Sequence, residues 1–440
     1  MIDTDKQTPF RRNFARLLAR SRSKNSIYLA LSLIARVLNA VGMFIAIQRF
    51  APSTFGEMSY LQATAVSTVA FCSLGIELSV NALLTRKIKE GGPLAPTVLA
   101  ACILAITGIC LACIAVTLGF SSQLTVTGSP HLAVVAVCLY SSLMIFNSLL
   151  TAISFALSAS INVGVSYILT SSLFAAFAIF ADKRTSGIGL MFFSVVALVI
   201  AVSYMATALS RLSKSGQLRR GYELIQTSFE SATAEVKTLF SYGAKQILVV
   251  STLTFSQWLI QRKIVYGDGG VSENAIYSVG NQIFNMMTFI PLIITPIIIT
   301  RLAAAGDDLA LRKRISLASL KLFSGIAAIA CVAVFFGLRI GIPFLPPRYA
   351  AAEVTGLIAS FAAAFQILKS PFSLFFLAEL KASREIASAT AGALFMIVAT
   401  ATYSQLTPNQ GTTIRLLGCA LQGVLLAAMF FLETRRAKER

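Results

Sequence analysis

The stretch IFNMMTFIPLIITPIII, residues 283–299, contains no charged side chain. A second charge-free stretch, VVALVIAVSYMATA, occupies residues 195–208. About 20 mostly apolar residues in a helix are long enough to cross the roughly 30 Å hydrocarbon core of a bilayer. Comparable stretches recur along the chain. The sequence therefore predicts an all-α polytopic membrane protein.

The composition supports this prediction. Of 440 residues, 56% are hydrophobic and 12% are charged, whereas roughly 25% of residues are charged in soluble domains. The formal net charge of +19 could indicate nucleic acid binding, but that function requires an exposed basic domain. The basic residues lie mostly at the ends of apolar stretches, where anionic lipids attract them. We therefore expect membrane lipids as partners and no nucleic acid.

Hydropathy divides the chain into about twelve predicted spans in two sets of six. They cover residues 27–48, 58–83, 94–118, 131–153, 162–181 and 188–209, and then 241–263, 276–300, 316–340, 353–378, 386–404 and 412–432. These sets predict an N-terminal lobe at residues 27–209 and a C-terminal lobe at residues 241–432. We expect an amphipathic cytoplasmic linker at residues 210–240, and basic tails at residues 1–26 and 433–440.

The distribution of Lys and Arg predicts the orientation. With both termini in the cytoplasm, the cytoplasmic tails and connections contain 25 Lys and Arg and the opposite side contains six. Cytoplasmic loops carry such an excess in membrane proteins. The sequence thus predicts a multi-pass protein of the cell inner (cytoplasmic) membrane. Its short outer connections leave little surface for an assembly scaffold.

Two stretches of sequence carry a family resemblance. The segment RFAPSTFGEMSY at residues 49–60, followed by Leu74-Gly75-Ile76 and Arg86-Lys87-Ile88, resembles the signature of the first two spans of Wzx-type polysaccharide flippases. Span eight resembles the matching signature of the second half through Tyr277, Pro291, Pro296 and Arg301.

The resemblance implies the fold of the multidrug/oligosaccharidyl-lipid/polysaccharide exporter (MOP) superfamily. In that fold, two six-helix lobes enclose a central cavity and alternate between inward-open and outward-open states. The implied substrate is a polyprenyl-pyrophosphate-linked oligosaccharide, used for O-antigen, capsule or exopolysaccharide biosynthesis. Polysaccharide polymerase and export proteins are the implied partners.

Six basic residues lie inside the predicted spans, and each requires a cavity, a partner or a function because charge is costly in the membrane. They are Arg36, Lys245, Lys321, Arg339, Lys369 and Arg415. Arg339 and Arg415 are close to the predicted outer boundary, and Lys245 is about one turn from the inner one. For these three we expect the charged group to extend to the membrane surface.

Polar residues at helical spacing accompany the deeper charges. Arg36 and Asn39 share a face of span one, Lys369 lies on a polar face of span ten, and Asn285 on one of span eight. We expect these faces to converge on one cavity in which Arg36, Asn39, Lys321, Lys369 and Asn285 bind the substrate. Guanidinium and ammonium groups bind phosphate oxygens well, so this cavity suits the implied pyrophosphate.

Glu77 in span two is the one clear acid inside the predicted spans. It could form a buried ion pair with Arg36, or it could bind a proton or sodium ion that drives transport, because intramembrane carboxylates serve both purposes. The sequence leaves both interpretations open.

Other functions are weaker predictions. A cation-coupled small-molecule or multidrug antiporter of the same fold is the nearest alternative, although cationic drugs favour acidic cavities. The single histidine, His131, has no carboxylate nearby in sequence, and no phosphate-binding glycine loop or metal-ligand cluster occurs. We therefore expect no enzymatic activity, no catalytic residue, no metal and no cofactor.

Overall fold

A computed structural model describes residues 9–90, 94–124, 127–214, 229–304, 308–378 and 382–436. The regular structure of these residues is helical, which confirms the predicted fold class. The first half contains α1 (Pro9–Arg49), α2 (Pro52–Cys72), α3 (Ile76–Glu90), α4 (Ala95–Ile114), α5 (Pro130–Ala156), α6 (Ser160–Phe180) and α7 (Gly187–Lys214). The second half contains α8 (Phe229–Val265), α9 (Gly270–Ala304), α10 (Leu309–Gly341), α11 (Ala352–Ala378), α12 (Ala382–Thr402) and α13 (Pro408–Arg436).

Short helical turns extend two of these helices. A π-helical turn, Ala115–Phe120, and a 3-10 turn, Ser121–Leu124, follow α4. The 3-10 turns Ile342–Phe344 and Pro347–Tyr349 connect α10 to α11. Of the predicted tails and linker, residues 1–8, 215–228 and 437–440 lie outside the described residues, while residues 9–26 and 229–240 continue α1 and α8.

Each predicted span corresponds to one helix except span two, which α2 and α3 share. The prediction of one continuous helix at residues 58–83 is wrong at residues 73–75. Leu74 and Gly75 adopt positive φ angles of 52° and 67° there, a left-handed conformation that ends a right-handed helix. A Cβ on Gly75 would lie 2.5 Å from Cα of Gly243 in α8. This break therefore requires glycine at residue 75.

The helices form two lobes with the same internal packing. In the first lobe α1 packs on α6, α4 on α5, and α5 and α6 on α7. The equivalent contacts in the second lobe join α8 to α12, α10 to α11, and α11 and α12 to α13. The halves are thus repeats that run in the same direction, as is common in transporters.

The protein crosses the membrane many times. Nine segments of the described residues are long and apolar enough to span a bilayer. The break divides predicted span two between α2 and α3, and α8 carries Gln257 and Gln261 in its apolar half. These two spans and span eight, which α9 contains, stay predictions.

Hydrogen bonds join the two lobes at the predicted outer end, and we call this set of contacts the outer seal. Asn274 of α9 donates to the carbonyl of Gly56 in α2 at 2.9 Å. Gln48 donates to the Phe344 carbonyl (2.6 Å) and Arg348 to the Phe50 carbonyl (3.0 Å). Arg262 donates to the side-chain oxygen of Gln123 (2.6 Å), and Tyr266 donates to the Gln123 backbone carbonyl (2.9 Å). The structure is therefore closed at this end.

Gly56 is the point of closest approach within the outer seal. A Cβ at this residue would lie 1.7 Å from the carbonyl oxygen of Val271 in α9. We expect Gly56→Ala to force α2 and α9 apart and to lower stability by about 1–3 kcal/mol, the usual effect of overpacking. Thermal unfolding in detergent would measure the loss.

Gly325→Ala is the matched control, because a Cβ on Gly325 in α10 meets no atom within 4 Å. Disulfide formation between cysteines introduced at Gln48 and Phe344 should also fall in Gly56→Ala. Unchanged melting and unchanged crosslinking would show that α2 and α9 do not approach as closely as the structure indicates.

Candidate functional site: a central cavity between the lobes

Three adjoining pockets lie between the lobes. The portal pocket, about 230 Å³, lies between α1, α9 and α10, and its lining includes Arg36, Asn39, Phe44, Gln282, Asn285 and Met286. The amide pocket, about 270 Å³, lies between α2, α8 and α9 and is lined by Ser59, Gln62, Ala63, Val66, Thr254, Gln257, Trp258, Gln261, Ser278, Asn281, Gln282 and Asn285. The Glu77 pocket, about 260 Å³, lies at the α2–α3 break beside α5 and α8.

The three pockets share lining residues. Gln282 and Asn285 line both the portal pocket and the amide pocket, and Val66 and Thr254 line both the amide pocket and the Glu77 pocket. Ligand sites in proteins typically occupy roughly 300–1,000 Å³. Each pocket alone is smaller than this and the three together reach the range, so a ligand of several chemical groups can span them.

The portal pocket brings together three residues that the sequence singled out. Arg36, Asn39 and Asn285 all line it, because the polar faces of α1 and α9 point at each other. The guanidinium carbon of Arg36 lies 4.9 Å from the ring centre of Phe289, close enough for a cation–π interaction. Arg36 and Asn285 are exposed, so the pocket is open rather than enclosed, and Arg36 is its charged lining residue.

Lys321 and Lys369 do not line this cavity, contrary to the expected convergence. Lys321 is exposed on α10, in a separate pocket with Lys313 and Arg314. Lys369 is buried inside the C-terminal lobe, where its Nζ donates to Oε1 of Gln422 in α13 at 3.1 Å. Both helices are apolar on most sides, so hydropathy did not indicate which side faces the cavity.

Glu77 occupies the first turn of α3, directly after the break. Its pocket also includes Ser73, Gly75 and Ser148. A carboxylate is stabilised at a helix N-terminus by the partial positive charge of the backbone N–H groups. Glu77 and Arg36 line different pockets and form no ion pair with each other in the described part of the structure. The interpretation of Glu77 as the ion-pair partner of Arg36 is therefore wrong for this conformation.

Arg415 is a functional candidate that the sequence reasoning missed. The side chain was expected to extend to the outer membrane surface, but this prediction is wrong because Arg415 is only 3% exposed. Its guanidinium donates to Oδ1 of Asn281 at 2.5 Å and lies 3.6 Å from the ring centre of Phe284. The Arg415 side chain thus holds the Asn281 side chain on the polar face of α9. The polar residue Asn281, at helical spacing from Asn285, was the available signal.

Comparisons with solved structures place this architecture among known folds. The inward-facing conformation of a multidrug resistance MATE family transporter of the MOP superfamily matches with a TM-score of 0.73 and 11% identity, over 94% of this chain and 99% of that one. A MOP superfamily transporter from Pyrococcus furiosus matches with a TM-score of 0.64 and 13% identity, over 94% and 97%. This chain has the fold of MOP superfamily transporters.

A eukaryotic MATE transporter also matches, with a TM-score of 0.61 and 16% identity, over 96% of this chain and 99% of that one. No protein-family model and no curated protein matches the sequence. The similarity therefore extends over the whole chain at the level of fold. These matched structures are of transporters.

Loss of the buried Arg415 contact should destabilise the C-terminal lobe. Arg415→Ala removes a hydrogen bond to a charged group, typically worth about 1.5–3 kcal/mol, and leaves the Asn281 oxygen without its partner. We expect a lower melting temperature in detergent.

Arg339→Ala is the matched control, because Arg339 forms an ion pair with Glu353 at 3.1 Å while its side chain is 65% exposed. Such exposed pairs contribute about 0–1 kcal/mol. Equal changes in melting temperature for the two variants would contradict the buried position of Arg415.

Proposed function

We propose that this protein is a transporter that moves an amphipathic substrate with an anionic group across the membrane by alternating access. The observation that carries this proposal is the portal pocket, in which Arg36 is the charged lining residue among apolar and amide side chains. The substrate class we propose is a polyprenyl-pyrophosphate-linked oligosaccharide. Arg36, Asn39 and Asn285 would bind its charged head group.

The chemistry of the portal pocket supports an anionic substrate. Arg36 has an aromatic neighbour, Phe289, rather than a carboxylate partner, and an arginine inside a membrane is costly unless it serves a function. One guanidinium group can donate two parallel hydrogen bonds to the oxygens of a phosphate. The apolar lining residues Phe44 and Met286 are exposed beside it, so a lipid chain could lie next to the phosphate group.

The outer seal supports alternating access. The lobes contact each other at the predicted outer end through a small set of hydrogen bonds, and the cavity lies directly on the inner side of these bonds. Opening the outer end requires α2 and α9 to separate at Gly56 and Asn274. A substrate bound at the portal pocket would then be released to the other side.

The proposed location is the cell inner membrane, with both termini in the cytoplasm. The excess of Lys and Arg on one side supports this orientation. A flipped lipid-linked oligosaccharide must next be polymerised and exported, so polymerase and export proteins are the partners that we propose.

A second candidate function is a cation-coupled small-molecule or multidrug antiporter. Glu77 favours it, because a carboxylate that lines a pocket without an ion-pair partner there can bind a coupling ion. The matched solved structures include multidrug resistance transporters. If the substrate is instead the lipid-linked oligosaccharide, Glu77 would bind the ion that drives its transport.

Transport by the purified protein in liposomes would test the proposal. The probe is farnesyl diphosphate carrying a fluorescent disaccharide, and the readout is its protection from a membrane-impermeant quencher. We expect Arg36→Gln to slow movement about ten-fold or more, since the lost charge-assisted hydrogen bonds are worth about 1.5–3 kcal/mol.

Lys321→Gln is the matched control, because it also removes a predicted intramembrane base but lies outside the cavity. It should retain the rate of the unmodified protein. An unchanged rate in Arg36→Gln would overturn the anionic-substrate proposal. Export of a cationic dye that depends on an ion gradient and on Glu77 would establish the antiporter instead.

A further inference from the structure

We propose that the amide pocket binds an uncharged polyhydroxyl group, the saccharide portion of the transported molecule. This inference rests on the proposed function and adds a second binding site to it. The portal pocket and the amide pocket would hold the two chemically different parts of one substrate.

The lining of the amide pocket carries no charged side chain and is rich in polar ones. Its side chains include the amides of Gln62, Gln257, Gln261, Asn281, Gln282 and Asn285, together with the hydroxyls of Ser59, Thr254 and Ser278. An amide offers two N–H donors and one carbonyl acceptor. A saccharide hydroxyl also both donates and accepts, so a ring bearing several hydroxyls can pair with a wall of amides.

Two buried polar atoms in this lining lack a partner. Gln261 is 5% exposed and Ser278 is 3% exposed, and neither Oε1 of Gln261 nor Oγ of Ser278 has a hydrogen-bond partner among the described residues. Buried polar atoms in folded proteins are nearly always paired. Because both residues line the same pocket, a ligand with hydroxyl groups can pair with them.

Neighbouring residues fix the direction of two of the amides. Arg415 has only donors, so its contact must be to the carbonyl oxygen of Asn281, and the N–H groups of Asn281 remain for the pocket. Gln62 donates through Nε2 to Oγ of Ser194 at 3.3 Å, which leaves its carbonyl oxygen as the acceptor. The pocket thus presents the Asn281 donors from α9 and the Gln62 acceptor from α2, and the unpartnered Gln261 oxygen of α8 is a second acceptor.

The position of the amide pocket matches the order of groups in the proposed substrate. Gln282 and Asn285 separate it from the portal pocket and line both. A phosphate at Arg36 would therefore lie next to a saccharide in the amide pocket. A flat apolar drug would leave the amides without partners, and sites of this kind reject ligands that cannot pair with them.

Binding of two matched ligands would test the inference. The probes are farnesyl diphosphate and the same lipid carrying a neutral disaccharide on its terminal phosphate. Isothermal titration calorimetry with the protein in nanodiscs would measure both affinities, and the fluorescence of Trp258, the single tryptophan of the chain, would report whether the amide pocket that it lines is occupied. We expect the disaccharide to improve affinity about ten-fold in the unmodified protein.

The double variant Gln261→Met with Ser278→Ala should lose this advantage and should bind farnesyl diphosphate unchanged. It should also melt at the same or a higher temperature, because the atoms that it removes have no partner in the protein. Arg36→Gln should weaken both ligands by the same factor. A disaccharide advantage that persists in the double variant, or that is absent from the unmodified protein, would overturn the inference.

The proposed function would fail in a different way. If the unmodified protein binds neither lipid, or if Arg36→Gln changes the affinity for neither, the anionic head-group site itself is refuted. Weaker binding of both lipids by Arg36→Gln, without any effect of the disaccharide, would preserve the proposed function and refute only the saccharide site.

Discussion

The crossing of α2 and α9 at Gly56 and Asn274 is the contact on which the cavity depends. The two helices approach so closely that a Cβ on Gly56 would overlap the Val271 carbonyl, and the Asn274 amide closes the contact with a hydrogen bond to the Gly56 carbonyl. Two straight helices that cross at one end diverge toward the other. Ser59 and Gln62 follow Gly56 at spacings of three and six residues, and Ser278 and Asn281 follow Asn274 at four and seven. Both polar stripes therefore face the space that opens below the crossing.

Two buried cations of the C-terminal lobe, Lys369 and Arg415, donate hydrogen bonds to side-chain amides. Lys369 donates to Gln422 and Arg415 donates to Asn281. An arginine with an amide partner keeps its full positive charge, whereas a paired carboxylate would cancel it. Arg415 thus places a positive charge against one side of α9, and Arg36 lines the portal pocket on α9 with a second. This distribution favours an anion in the portal pocket over a cation.

Sequence reasoning predicted the all-helical membrane fold and its two-lobe arrangement, because an apolar run of fixed length is a local signal. It also predicted that Arg36, Asn39 and Asn285 share one cavity, and all three line the portal pocket. It misplaced Lys321, Lys369 and Arg415, because the rotation of a helix about its axis depends on its neighbours. The break at Leu74 and Gly75 was missed for a related reason. A Leu-Gly pair is ordinary in an apolar run, and only the approach of Gly243 from the other lobe makes glycine necessary there.

The amide pocket and the outer seal are built from the same helices. Gln261 and Arg262 are consecutive in α8, and the first lines the pocket while the second donates to Gln123 in the seal. On α9, Asn274 of the seal precedes Ser278 of the pocket by about one helical turn. Because helices are rigid over so short a distance, a movement of α8 or α9 that breaks the seal also changes the spacing of the amides. A ligand that bridges α2, α8 and α9 in the pocket therefore acts on the seal directly, through the backbone that the two sites share.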